Sequence, residues 1–239
     1  MVMMIHDVAV ISLNSAEELI VASDNSGSIG EKMYDDINVP YTITAYYNFR
    51  VAYMECVAAG ATPLAVVIHN FSGDEAWDSF VSGIKRAMQE LHINLEITGS
   101  TETNFTLMQS AIGMVIIGRR PKQNTLDIDL CDDVEIAVIG QPLVGQDVIE
   151  QANMIAPLPL FQSMAQNKDV IALRPVGSKG ILYELRKIFS DEKISFSSSV
   201  NMNVSSGPAT CFVVVYKSKA AHDIKQQSSH LYHRVSVSM

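Results

Sequence analysis

The stretch from residue 72 to residue 92 constrains the chain most. Trp77, Phe80, Val81, Ile84, Ala87, Met88 and Leu91 recur at the i, i+3, i+4, i+7 spacing of one helix face. A helix with one apolar stripe is not stable alone in water and must lay that stripe on another element. The spacing predicts a helix buried against a sheet, with Ser72 or Asp74 as N-cap. A second helix is predicted over 45–59, where Phe49, Ala52, Tyr53, Cys56 and Val57 share a face. Gly60 stands at its C-cap position and Pro63 follows as a stop. Short β-branched runs at 8–13, 18–23, 64–68, 94–98 and 112–117 read as strands.

The second half repeats the alternation. Strands are predicted at 134–139, 170–173, 210–216 and 232–237, and helices at 146–154, 180–189 and near 220–227. The polar stretch 195–206 reads as a mobile loop. Between 119 and 133 the composition turns to Arg-Arg-Pro-Lys-Gln-Asn-Thr and then to acids, which suggests a boundary between two subdomains. The mixture of elements reads as α+β or α/β.

With 239 residues, 48% of them apolar, the chain can bury a real core, which excludes disordered and collagen-like classes. A net charge of −9 argues against a general nucleic-acid or anionic-membrane binder. Cys56, Cys131 and Cys211 are scattered, without CxxC spacing, which suggests a reducing compartment and no structural zinc. No run approaches the roughly 18 apolar residues of a membrane span, and Met1-Val2-Met3-Met4 lacks a basic leader. The expected localisation is the cytoplasm.

Three carboxylates sit at or near predicted element ends: Asp7, Asp24 and Glu55. On spacing alone they read as two turn acids and a solvated helix-face residue. They are also the hard oxygen donors that suit Mg2+. After the second strand, Asp24-Asn25-Ser26-Gly27-Ser28-Ile29-Gly30-Glu31-Lys32 is polar and flexible, with backbone donors and one cation able to hold phosphate. It matches neither the P-loop nor GxGxxG. His6, His69, His92, His230 and His233 read as surface or hydrogen-bonded residues, and Cys56 as core.

Taken in order, these segments resemble one family. Ile5-His6-Asp7-Val8-Ala9-Val10-Ile11 is similar to the Gly-Asp-Asp-Ala-Ala-Val-Ile opening of the superfamily of aminoimidazole ribonucleotide (AIR) synthetase, thiamine-monophosphate kinase and selenophosphate synthetase. Ile20-Val21-Ala22-Ser23-Asp24 resembles its strand ending in Thr-Asp, and Ser28-Ile29-Gly30-Glu31-Lys32 its Gly-Val-Gly-Thr-Lys. Met54-Glu55-Cys56-Val57-Ala58-Ala59-Gly60-Ala61-Thr62-Pro63-Leu64 resembles the Asn-Asp…Gly-Ala-Glu-Pro-Leu signature. Ile97-Thr98-Gly99-Ser100-Thr101-Glu102 falls where the family writes Gly-Gly-Asp/Glu-Thr. In length and in its Ser-Ile-Gly-Glu-Lys loop the chain is similar to the compact kinases of α-ribazole in cobalamin salvage.

The resemblance implies an α+β, two-domain AIR-synthetase-like fold. Residues 1–120 would be the N-terminal ATP- and Mg2+-binding domain and 121–239 a reduced C-terminal domain. It implies a homodimer and ATP-dependent phosphotransfer to a small-molecule hydroxyl; the alternatives are activation of an amide or carbonyl oxygen, or a non-catalytic nucleotide binder. Carried over, Asp7, Asp24 and Glu55 hold metal, and Lys32 and Asp24 are catalytic. Asn25, Ser26, Gly27, Ser28, Gly30, Lys32, Thr101, Glu102 and the turn residues Gly177, Ser178 and Lys179 face the nucleotide. The sequence departs from the family at Ile5-His6, at Glu55 and at Ser100, where Glu102 is the nearest acid on the same strand face.

Overall fold

The computed structural model describes residues 7–122, 133–189, 191 and 193–238. Ile5, His6, Cys131 and most of the 119–133 stretch lie outside the described residues. Two compact units are present, Met1–Gln123 and Asn124–Met239, and the chain is α+β. No helix among the described residues is long and apolar enough to cross a membrane.

The first unit runs β1 (Val8–Ser12), β2 (Glu17–Gly27), β3 (Ile29–Gly30), β4 (Ile37–Asn38), α1 (Tyr41–Ala58), β5 (Thr62–Asn70), α2 (Trp77–Leu91), β6 (Glu96–Thr101) and β7 (Ala111–Pro121). Its main sheet has the order β1-β2-β7-β5-β6. Only the β5–β6 pair of this sheet is parallel, because α2 supplies the long crossover that a parallel pair requires. The β1–β2 hairpin closes on Asn14, whose Oδ1 accepts from the backbone N–H of Ala16 and Glu17 at 2.8 and 2.9 Å. On β2 the even positions Glu18, Ile20 and Ala22 are buried while Leu19 and Val21 are half-buried. The buried face lies beneath α1.

Helix α1 seats directly on β7: a Cβ at Gly118 would overlap Cys56 Sγ. The helix starts four residues before its expected position. It ends as the sequence predicts, with Gly60 at φ +78° and its N–H donating to Val57 O at 2.8 Å. Arg120 binds Glu18 Oε2 at 2.9 Å and also donates to Ala59 O, tying the sheet to the end of α1 inside the core.

For α2 the structure corrects two expectations. Its main partner is α1 rather than the sheet: Gly83 abuts Thr42 O, and the Phe80 ring meets Tyr41 edge-on at 5.0 Å. Helix α1 is buried over most of its circumference, so it covers the sheet with one side and receives α2 on another. Phe80, Ile84, Ala87, Met88 and Leu91 are buried, but Trp77 and Val81 only half so. Neither Ser72 nor Asp74 caps the helix through its side chain. A short 3-10 turn, Asp74–Ala76, leads in, and Ser72 Oγ instead donates to Ala111 O.

The second unit contains β8 (Val134–Ile139), α3 (Asp147–Glu150), α4 (Leu158–Gln166), β9 (Val170–Pro175), α5 (Gly180–Ile188), β10 (Ser195–Ser198), β11 (Phe212–Lys217), α6 (Ala221–Ser228) and β12 (Tyr232–Ser238). They form an antiparallel sheet of order β10-β12-β8-β11-β9. β11 is buried on both faces: Val213 and Val215 pack with Ile181 and Leu185 of α5, while Phe212 meets Phe161 of α4 edge-on at 5.0 Å. The expected helix at 146–154 is broken into α3 and a 3-10 turn, and α4 was not expected. The polar stretch at 195 contains the edge strand β10 rather than a loop, because its backbone pairs with β12 whatever its side chains are.

Phe80→Ala is expected to lower unfolding free energy by about 3–5 kcal/mol. Val81→Ala, on the half-buried flank, should cost less than about 1.5 kcal/mol. Urea denaturation checks the pair, and equal losses would contradict the α1–α2 packing.

Candidate functional site

Asp24 lies on β2 in step with Ile20 and Ala22 and so turns to the α1 face, where it is half-buried. Desolvation pushes its carboxyl up to about 7, against a backbone hydrogen bond involving Asn25 that favours the charged form. Asp7 is exposed just before β1, and the pairing of Val8 with Ala22 carries it beside Ser23. Asp7 and Asp24 therefore share one end of the hairpin. Glu55 is on the last turn of α1, with Oε2 shielded from water. That end of α1 is held at Glu18 and Arg120, six residues along β2 from Asp24.

Among the described residues no three His, Cys, Asp or Glu side chains are grouped to hold a metal ion. The three-acid cluster expected from the motifs is thus not assembled, because Glu55 is fixed further along the sheet. Mg2+ commonly takes one or two carboxylates and completes its shell with water and phosphate oxygens, and two hard donors at one strand end fit that pattern.

The segment 24–32 is not the flexible loop the sequence suggests. β2 continues through Asn25, Ser26 and Gly27. Ser28, at φ +60°, donates its N–H to Ser110 O at 2.9 Å, and its carbonyl accepts from Asp36 and Ile37 N–H. Gly27 borders open space, where backbone can meet a ligand, but Gly30 is buried. A Cβ at Gly30 would stand 2.5 Å from Ser110 Oγ, so glycine serves packing there and not phosphate approach. Glu31 Oε1 accepts the Tyr41 N–H at 2.8 Å and so caps α1. Lys32 Nζ donates to Leu107 O at 2.8 Å.

These bonds belong to a clamp centred on a residue that sequence reasoning passed over. Asp35 is buried, with Oδ1 taking the Ser110 N–H at 2.6 Å and Oδ2 taking Ser110 Oγ–H at 2.6 Å and the Lys32 N–H at 2.9 Å. Burial alone would raise its carboxyl, but the Ser110 bonds, the Lys32 N–H and the Lys32 charge together hold it below the usual range. The pairing spans 75 residues of sequence, and the sequence carries no local signal for it.

Thr101 and Glu102 are held by a second unforeseen hub. Buried Asn70 donates to Thr101 Oγ1 at 3.1 Å and to Gly73 O at 2.7 Å, and Glu102 N–H donates to Asn70 O. Glu102 Oε1 accepts from the N–H groups of Asn104 and Phe105, so this carboxylate shapes a turn and does not replace the acid missing at exposed Ser100. In the second unit Gly177, Ser178 and Lys179 are exposed ahead of α5, with open space at Gly177. Lys179 Nζ lies 3.1 Å from Tyr183 OH and with Lys187 flanks that ring; the hydrogen bond from Lys179 leads in drawing the phenol below its usual range. Cys56, buried and pushed up to about 12 by desolvation, is core, as expected. His230 and His233 are hydrogen-bonded, to Asn153 O and to Ser199 Oγ.

The first unit is α+β, with Asp7 and Asp24 at one end of a long antiparallel hairpin. Residues 5–119 match the family model for the AIR synthase related protein, N-terminal domain. The match covers most of the first unit, which is thus similar to that domain. No curated protein matches the chain in sequence. Thermotoga maritima PurL, solved with AMPPCP, is similar in structure at 13% identity and a TM-score of 0.62, over 95% of this chain and 41% of that one. Escherichia coli HypE, a hydrogenase maturation protein, is similar at 12% identity and 0.59, over 90% and 79%. Thermus thermophilus tt0281 is similar at 11% and 0.65, over 97% and 86%. The chain spans about two-fifths of the PurL structures it matches.

The environment of Asp24 predicts a pH-dependent stability. Below an unfolded value of 3.8 both states carry the proton, and above about 7 neither does. Between those values only the folded state keeps it, so Asp24 lowers stability progressively as pH rises. Asp24→Asn should therefore gain on the wild type from pH 4 to 7 and hold a constant advantage above. The plateau should be on the order of 1–2 kcal/mol, reduced from the full linkage value by residual solvent at the site. Urea titrations at pH 5 and pH 8 measure the difference; a difference independent of pH contradicts it.

Proposed function

We propose that the protein is an ATP-dependent enzyme that passes the γ-phosphoryl group to an oxygen of a small molecule, with the hydrogen-bonded end of the β1–β2 hairpin as the Mg·ATP site. The observation that carries this reading is the placement of half-buried Asp24 and exposed Asp7 at one end of the hairpin, with Asp24 three residues along β2 from the open backbone of Gly27. The PurL structures solved with ATP, ADP and AMPPCP support it. In this reading residues 1–120 bind Mg·ATP and 121–239 are a reduced C-terminal domain.

Bound Mg2+ would offset phosphate charge and align the γ-phosphoryl group. Asp24 and Asp7 would hold the ion. The open backbone at Gly27 would contribute polar groups to the phosphates, and Lys32 would supply a positive charge. Lys32 now binds a neutral carbonyl, Leu107 O, so the hydrogen bond leaves its charge in place. To reach phosphate it exchanges that carbonyl for a stronger, charge-assisted acceptor.

The preferred acceptor is a hydroxyl, as in an α-ribazole kinase. Activation of an amide or carbonyl oxygen is the second reading, favoured by the likeness to PurL, which is solved with FGAR as well as nucleotide. Homodimerisation through the sheet belongs to the same proposal. Its face away from α1 carries half-exposed Leu19, Val21, Val115 and Ile117 with exposed Ile11, an apolar surface suited to a second copy.

Calorimetric titration with Mg·AMPPCP should show binding that Asp24→Asn weakens by at least about tenfold. Lys32→Ala should lower turnover by about 10² to 10³, with partial recovery in Lys32→Arg. α-Ribazole is the first acceptor to assay, followed by amide acceptors, with ADP release as the readout. A Lys32→Ala variant that loses stability but keeps wild-type turnover assigns Lys32 to the Asp35 clamp alone. Absence of nucleotide binding by the wild type overturns the proposal, and binding without transfer to any acceptor reduces it to the non-catalytic alternative.

A further inference from the structure

Two loops of the first unit, 31–36 and 102–109, expose an unusual set of large apolar side chains. Met33 is 85% exposed, Phe105 78% and Met108 66%, with Tyr34 and Leu107 also in contact with water. Single exposed apolar residues are ordinary on a protein surface. Here five of them come from two loops fastened to each other. Lys32 Nζ binds Leu107 O, Gln109 Nε2 donates to Tyr34 O at 2.7 Å, and Asp35 takes two bonds from Ser110. The fastening holds a carboxylate in the interior while the apolar groups next to it in sequence stay outside. A flexible loop would fold such groups back against the protein; these are held out.

We propose that this surface docks a partner protein presenting an amphipathic helix whose apolar face is bordered by lysine and arginine side chains. The five exposed side chains form one raised apolar patch that such a face can cover. Phe105 and Tyr34 are rigid aromatic anchors, and Met33 and Met108 adapt to the side chains laid against them. The sign of the partner follows from the rim. Glu31, Asp36 and Glu102 lie in or beside the loops, and Asp74 and Glu75 follow the Gly73 carbonyl that Asn70 links to Thr101. Lys32 is the sole cation in the two loops, and its ammonium is turned to Leu107 O. A second copy brings the same acidic rim, and a chain of net charge −9, to the contact, which disfavours self-association here. An anionic membrane is disfavoured for the same reason. The inference stands on the two loops alone and does not depend on the catalytic reading.

The test uses the full chain and two synthetic helical peptides of about 18 residues, long enough to hold a helix. One carries leucine on one face and lysine on the other; its twin carries glutamate in place of lysine. The lysine peptide should bind the wild type, and Met33→Ser/Phe105→Ser should weaken that binding by at least about tenfold. Ile149→Ser, which removes an exposed apolar side chain elsewhere, should leave it unchanged. Unaltered melting temperatures keep the comparison one of surface and not of folding. The glutamate twin should bind at least about tenfold more weakly than the lysine peptide. Equal loss in Ile149→Ser, no loss in the double variant, or equal binding of both peptides overturns the proposal. Sedimentation showing a wild-type oligomer that the double variant abolishes replaces the partner with a second copy. Preferential binding to phosphatidylcholine vesicles replaces it with a lipid surface.

Discussion

The first unit depends on the close approach of α1 to β7. Gly118 lets Cys56 sit on the sheet, and the Arg120–Glu18 pair with Ala59 O fixes the end of the helix inside the core. A buried ion pair is weak evidence for stability, since both charges must lose water. Its effect here is positional: it sets where along β2 the helix stops. From that one placement follow the half-burial of Asp24, the location of Glu55 away from it and the surface on which α2 rests.

The candidate site shows how a short carboxylate pattern becomes chemistry only through its surroundings. Asp24 and Asp35 are the same residue type, eleven positions apart, each removed from bulk water. Asp24 has a single backbone hydrogen bond to oppose desolvation, and its carboxyl is pushed up to about 7. Asp35 has several donors and a nearby ammonium, and it stays charged. The first is suited to exchange a proton or accept a cation, the second to hold two loops together. Lys32 belongs to the second environment: its N–H and its charge stabilise Asp35, and its Nζ donates to Leu107 O.

The second unit is built on a different principle. Its inner strand β11 is apolar on both faces and covered by helices on each side, so its stability comes chiefly from burial. Its buried Thr210 is an exception: Oγ1 accepts the Leu143 N–H and donates to Gln141 O, fixing the turn after β8. Gly177, Ser178 and Lys179 are left exposed beyond this core.

The sequence by itself determined the strands and helices whose side chains obey a period: the 77–91 stripe, the glycine stop at 60, strand β8 and the ordered motifs of the first unit. Each rests on interactions within a few residues, or on a pattern that any apolar partner would satisfy. Tertiary structure alone decided that α2 meets α1, that the polar stretch at 195 pairs as an edge strand and that the chain after Asp24 is strand and clamp and not a free loop. It also decided where the acids stand. The hairpin register sets Asp7 opposite Ser23, next in sequence to Asp24, Glu55 is fixed on the last turn of α1, and Asp35 finds Ser110 across 75 residues. Contacts of that range leave no periodic trace in a sequence, because their energy comes from burial and pairing that exist only once the sheet has closed.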